Sequence, residues 1–511
     1  MASTVGIVII AAAQSVAKAF TIGLVGYVSV KFPKDNPFLP QKLVGTFSRF
    51  TFHTLMLSLI YGTIARAITL ESIGDYWYVV VGAFFVLGIS YVVATIMQCL
   101  IPIANVYDFR ALRISVTFPN IVALPILIFP SLCEFPLVHN GYMRAQFGDD
   151  GLSPEEMEEK CVEQANTLIF CYFFGFMFLF WGVGYPQLIG AAQEKALEAS
   201  NASTKSEESR QEEEPPSQTE NSHQSPSPVG IDAGEADQQQ NEENSAIGDT
   251  RAKDDRGSEE NRFGVFSNTI NACKKTFTSP GFIASILGFI TACIPPLQRA
   301  LFEAEAPLRF LGSAIEALGT ASSSMSTIIV AASLVPPKDE SDSAREVNTS
   351  HENGNVGDLV ATPTNVQGDR RARITSLRHS ISSRSIRMVK AMTRSTPEMR
   401  RLYLWFCLSR LVVAPAFVVG IVLALDCGFH VLDPVPNLAL LVVIVNSCLP
   451  GASIIVVLLK SQMVLEETAT VVAKVYFVCY IVCIFTIAAW TAVGLYITIP
   501  DEDGNTFCSR Q

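Results

Sequence analysis

The chain has 511 residues, 49% of them hydrophobic, 17% charged and a net charge of -11. Its mean hydropathy is +0.32, an average over long apolar runs and two almost purely hydrophilic stretches. Many runs reach about 20 apolar residues, the length that crosses a bilayer, which excludes an ordinary soluble domain. The negative charge collects in the polar stretches and carries no information about a ligand.

In chain order the apolar runs predict ten spans: Val5–Val30, Leu43–Ala67, Trp77–Ile101, Ala111–Leu132, Ala165–Leu188, Phe282–Leu301, Leu308–Val335, Tyr403–Asp426, Leu438–Leu459 and Ala469–Ile499. The run from Val5 is too long for a signal-peptide core and lacks a small-residue cleavage site, so it is expected to stay as a helix. The domain reading is a first five-helix repeat over 1–190, a polar loop over 191–277, and a second five-helix repeat over 278–499. A basic, Ser-rich loop at 336–401 interrupts the second repeat, and a tail follows at 500–511. The first loop is rich in Glu, Gln, Ser and Asn and is expected to be disordered, because it cannot bury enough apolar area to offset ordering entropy.

Two distant spans share an irregularity. FPNIVALPILIF holds Asn120 and Pro125, and VNSCLPGASIIVV holds Asn446 and Pro450. Proline removes a backbone donor and clashes with the carbonyl four residues back, and in lipid the freed groups need protein or a water-lined cavity. Matched broken helices in the two halves point to a binding site at mid-membrane. Helix starts there expose N–H groups and partial positive charge, which receive a carboxylate. Asn120, Asn446 and Ser453 add neutral donors and acceptors, and Gly451 allows close approach of backbone or ligand. A kinked helix packed on its neighbours is the alternative.

Short-loop charges set the orientation. Lys31, Lys34, Lys42, Arg110, Arg113 and the run Arg370–Arg401 share one side, expected to be cytosolic. The opposite side holds the acidic loop Asp149–Glu159 and the tail Asp501–Asp503, so both termini face lumen or exterior. Five spans per repeat then place the two halves in inverted orientation. Cys133 and Cys161 bracket the acidic loop and are a candidate disulfide if that loop meets an oxidising lumen. No metal-ligand spacing, phosphate loop or nucleophile elbow occurs, so the chain is read as a non-enzyme without cofactor or metal.

Ionisable residues within spans include Lys18, Arg49, His53, Glu316, Arg410 and Lys474. Lys18, His53 and Glu316 are candidates for ion coupling or ion pairing. The favoured reading pairs Glu316 with Lys18, Arg49 or Lys474, and keeps His53 as a hydrogen-bonded core residue. Arg410 and Lys474 lie a turn or two inside cytosolic ends and are expected to snorkel. Ser322, Ser323, Ser324 and Ser326 form a polar stripe that suits either helix packing or pocket lining. The stretch RRARITSLRHSISSRSIRMVK is either a membrane-surface segment with kinase targets between Ser376 and Ser385 or a solvated loop. Asn201 and Asn348 lie in glycosylation sequons on the expected cytosolic side.

The blocks KAFTIGLVGYVSVKFP, RALRISVTFPNIVALPILIFPSLCE, SPGFIASILGFITACIPPLQRALFEAEAPLRFLGSAIEALGTA, SRLVVAPAFVVGIVLAL and DPVPNLALLVVIVNSCLPGAS resemble, in this order, the auxin efflux carrier family, in its PIN-LIKES branch. The similarity covers the spans and neither long loop. It implies an all-α membrane protein of two inverted five-helix repeats, with helices four and nine broken and crossed. It further implies alternating access for a small organic anion such as an auxin. Pro125 and Pro450 match the crossover prolines, and Asn120 matches the Asn before the first break. The chain departs from the family at Thr54 and Ser324, where relatives often carry proline, and at Ser453, where relatives place Asn. The resemblance favours the endoplasmic reticulum over the plasma membrane, and a homodimer is a candidate assembly. A passive anion channel and a non-transporting scaffold or sensor are the rival readings.

Overall fold

The computed structural model describes residues 21–32, 37–68, 70–103, 105–121, 124–147, 153–212, 277–335, 396–429, 432 and 435–499. Lys18, Asn348, the serines between Ser376 and Ser385, nearly all of the loops 213–276 and 336–395, and the tail lie outside them. The described residues are helical, with no strand and one isolated antiparallel bridge. The helices are α1 (Thr21–Lys31), α2 (Leu43–Ala67), α3 (Leu70–Leu100), α4 (Val106–Thr117), α5 (Pro125–Cys133), α6 (Pro136–Phe147) and α7 (Pro154–Asn201). After the polar loop come α8 (Pro280–Cys293), α9 (Pro295–Phe302), α10 (Arg309–Ala332), α11 (Pro397–Gly428), α12 (Asn437–Ser447), α13 (Ser453–Ser461) and α14 (Glu466–Thr498).

Six of these are long and apolar enough to cross a membrane: α2, α3, α7, α10, α11 and α14. A seventh is counted if α8 and α9 form one span, although they bend by 103° at Ile294. The sequence reading had an unbroken helix there. Pro295 and Pro296 follow the bend, and proline cannot donate to the carbonyl of the preceding turn. The spans expected at Ala111–Leu132 and Leu438–Leu459 each occur as two short helices, α4 with α5 and α12 with α13.

Two groups of helices pack against each other, with α13 of the second touching α2 and α10 of the first. In the first, α2 lies against α8 and α10, and α1 meets α10 closely. A Cβ at Gly26 would sit 2.6 Å from the Ile328 carbonyl oxygen, so this approach requires glycine. In the second group α7 packs on α3 and α5, and α14 packs on α12 and α13. Its interior holds aromatic contacts of Phe118 with Phe176 and Phe180 at 5.3 and 5.2 Å. Cys133 and Cys161 are disulfide-bonded, which ties the end of α5 to α7.

Of the polar segment that follows α7, residues up to 212 are described, and they are helical.

Candidate functional site

The two interruptions touch. α4 ends at Thr117, and Pro119 pairs with Gly451 in an antiparallel bridge. The amide of Asn120 donates to the Pro450 carbonyl at 2.8 Å, and the amide of Ala452 donates to the Phe118 carbonyl at 2.9 Å. Each break therefore satisfies two backbone groups of the other, which answers the demand that lipid places on unpaired N–H and C=O. The Tyr476 hydroxyl donates to the Ala452 carbonyl at 3.2 Å. A Cβ on Gly451 would lie 2.5 Å from that hydroxyl oxygen and 2.8 Å from the Ser115 carbonyl, so only glycine fits.

The remaining freed carbonyls converge on Arg410. Its Nη2 donates to the Asn446 carbonyl at 2.9 Å, the oxygen four residues before Pro450. Its Nε donates to Leu449 at 2.6 Å and its Nη1 to Val116 at 3.0 Å, so one side chain holds the carbonyl ends of both α4 and α12. Nη1 also reaches the Ser90 hydroxyl at 3.0 Å. Arg410 is fully buried, which corrects the expectation that it snorkels. It lies in a π-helical turn, Leu408–Val413, inside α11. Pro415 follows, and the Leu411 carbonyl it deprives accepts instead from Trp490 Nε1 at 2.9 Å.

A cavity of about 710 Å³ borders the crossover. One wall comes from the first helix group: Tyr27 of α1, Met56 and Leu59 of α2, and the Gly319–Leu334 face of α10. The other comes from the second group: Asn120, Ser453, Phe173, Phe176, Tyr476 and Tyr480. Asn120 Nδ2 donates to the Tyr480 hydroxyl at 2.9 Å. Because that oxygen accepts from Asn120, its own proton remains to be donated. Neither α5 nor α13 has a side-chain cap at its N-terminus. The residues there, Ile126, Ser453 and Ile454, line the same cavity.

Of the residues singled out in the sequence, Asn120 and Ser453 face the cavity. Pro125, Asn446, Pro450 and Gly451 are absent from its lining and form the frame. Pro125 opens α5, while Pro119 stands at the bridge, so the first irregular stretch starts earlier than the sequence reading placed it. Asn446 donates from Nδ2 to Val442 within its own helix, and its Oδ1 is buried with no hydrogen-bond partner. Ser322, Ser323, Ser324 and Ser326 line the cavity, whereas Thr54 does not.

The coupling candidates lie elsewhere. Glu316 pairs with Arg66 at 3.0 Å and Arg309 at 3.4 Å, not with Arg49 or Lys474. It lies two turns into α10, within reach of the arginines that end α2 and begin α10, rather than deep in a span. Arg49 donates to the Ser461 carbonyl at 3.2 Å. His53 is exposed and contacts Phe52 edge-on at 5.1 Å, which overturns the core-histidine expectation. Pro119, Tyr476 and Tyr480 carry no role in the sequence reading, and Arg410 carries a different one there. An arginine five residues before Pro415 in an apolar run is the one sequence signal among them.

Among curated proteins no match to this chain is found. The profile described as membrane transport protein matches residues 11–491. With nearly its full length matched, the chain belongs to the membrane transport protein family.

Proposed function

We propose that this membrane transporter is a secondary carrier for a small organic anion, which binds at the crossover and moves by alternating access. The observation that carries the reading is the meeting of both broken helices beside a cavity shared between two helix groups. The Tyr480 hydroxyl and the uncapped N–H groups of α13 supply neutral donors to a carboxylate. Neutral donors hold an anion without a salt bridge, so release on the far side stays easy. Phe173, Phe176, Tyr27 and Met56 offer an apolar surface to the rest of the ligand, which suits an aromatic acid of the auxin kind. The glycine- and serine-lined face of α10 presents a smooth wall along which the crossover group moves.

In this reading the chain spans the membrane ten times as two inverted repeats. The bonded pair Cys133–Cys161 marks the end facing an oxidising compartment. Arg110 and Arg113, at the start of α4, mark the cytosolic end. The similarity to the PIN-LIKES branch favours the endoplasmic reticulum membrane. Thermal-shift binding of the purified protein tests the ligand class. Phenylacetate stabilises the wild type, and Asn120→Ala weakens that shift. Equal shifts with phenylacetate and phenylacetamide contradict a carboxylate site.

A further inference from the structure

Arg410 does more at the crossover than fill hydrogen bonds. A guanidinium stays protonated at any physiological pH, so this side chain carries a full positive charge into a fully buried position. Buried charges are normally paired with an opposite charge. Here the acceptors are three carbonyls and a hydroxyl, all neutral: Leu449, Val116, Asn446 and Ser90. Among the described residues, the titratable groups that act on Arg410 are Tyr172, Cys448, Cys479 and Tyr476, with no carboxylate among them. The carbonyl ends of two helices offset part of the charge, because each carries partial negative charge. These dipoles carry no net charge, so the site keeps the formal unit charge of the guanidinium.

The cavity lies close to that charge. Arg410 holds the Leu449 carbonyl, Pro450 is the next residue, and the Pro450 carbonyl holds the amide of Asn120, which lines the cavity. A path this short places the guanidinium on the order of 10 Å from a ligand beside Asn120. At that distance and an effective dielectric near 20, a unit charge changes the affinity of an anion roughly tenfold. The π-turn and Pro415 fix the backbone that presents the side chain, so the charge is set in place before ligand arrives.

We propose that Arg410 is the fixed countercharge of the crossover: its guanidinium, tied to the carbonyl ends of both broken helices and with no carboxylate partner among the described residues, makes the adjoining cavity selective for anions over neutral molecules of the same shape. Arg410 is thus a positioning residue that acts without touching the ligand. The inference rests on the carrier reading above.

The test measures binding of phenylacetate and its neutral isostere phenylacetamide to the purified full chain. Wild type prefers the anion. Arg410→Gln weakens phenylacetate about tenfold and leaves phenylacetamide within about twofold, whereas Arg410→Lys keeps most of the preference. Ser90→Asp provides a second variant, since it keeps the guanidinium and places a carboxylate beside Nη1. It should also erase the preference, and it carries the test if Arg410→Gln does not fold. A folded Arg410→Gln or Ser90→Asp variant that retains the wild-type preference, or that loses both ligands in parallel, overturns the role of Arg410. A wild type that binds neither ligand, or binds both equally, overturns the carrier reading and this inference with it.

Discussion

Asn120 Nδ2 donates to the Tyr480 hydroxyl across 2.9 Å, joining the first broken helix to the last helix of the chain at the cavity wall. This bond orients the phenol so that its proton points away from Asn120 and is free for an anionic ligand. Hydrogen bonds to charged groups are worth about 1.5–3 kcal/mol. Tyr480→Phe is therefore expected to weaken carboxylate binding at least about tenfold. Asn120→Ala should do the same by releasing the hydroxyl from its orientation. Equilibrium binding with each variant checks this, and unchanged affinity in both removes the pair from the site.

Gly451 is the tightest point of the crossover. Gly451→Ala pushes a methyl group to 2.5 Å from the Tyr476 hydroxyl and 2.8 Å from the Ser115 carbonyl. Overpacking of this kind costs about 1–3 kcal/mol, and here it separates the bridged strands of backbone as well. A lowered thermal midpoint and loss of transport are expected together. Adding Tyr476→Phe removes the hydroxyl but keeps the ring Cζ, which lies 2.7 Å from the added methyl, so the double variant should recover little of the stability and none of the lost hydrogen bond to Ala452.

The Cys133–Cys161 bond closes a loop with a sequence separation of 28. Cross-linking a loop of this size removes unfolded-state entropy worth about 3–4 kcal/mol in the chain-entropy treatment. Replacing both cysteines by serine should lower thermal stability accordingly while leaving the crossover in place. Mass mapping without reduction checks the bond itself. Two free thiols in protein taken from its native membrane would contradict both the bond and the orientation built on it.

Acid should loosen the start of α7. Ser153 and Glu156 form a reciprocal cap: the Ser153 amide donates to Glu156 Oε2 at 2.8 Å, and the Glu156 amide donates to Ser153 Oγ at 3.3 Å. These bonds, from the Ser153 backbone first and its side chain second, hold the Glu156 carboxyl below its ordinary range. A depressed folded-state value means the contribution is fully present above the ordinary carboxylate range and is lost as pH falls through the lowered value. Hydrogen exchange in the first turn of α7, taken relative to the intrinsic amide rate at each pH, should therefore rise on acidification in the wild type. Ser153→Ala should raise it already at neutral pH and flatten the pH dependence.

Proline chemistry made the breaks legible. Pro125 and Pro450 interrupt apolar runs, and a proline effect is local, so it can be read from a single strip of sequence. What lies opposite a break is set by tertiary packing. The bridge between Pro119 and Gly451 joins residues from different halves of the chain, and no periodicity reports it. Arg410 was misread for the same reason. Its distance from the end of an apolar run suggests an escape to water, but in the fold it lies in a π-turn and donates to carbonyls on α4 and α12. Glu316 was misplaced because Arg66 and Arg309 lie at helix ends that come together only in the fold. Tyr476 and Tyr480 look like ordinary members of an apolar helix. Their hydroxyls gain meaning from Ala452 and Asn120 across the interface.

Counterflow in proteoliposomes tests the central claim most directly. Vesicles containing the purified chain and loaded with unlabelled phenylacetate should take up labelled phenylacetate faster than empty vesicles, because a carrier returns loaded more readily than it returns empty. Uptake at the same rate with and without internal ligand would mean a pore or no pathway, and would contradict a carrier built on this crossover.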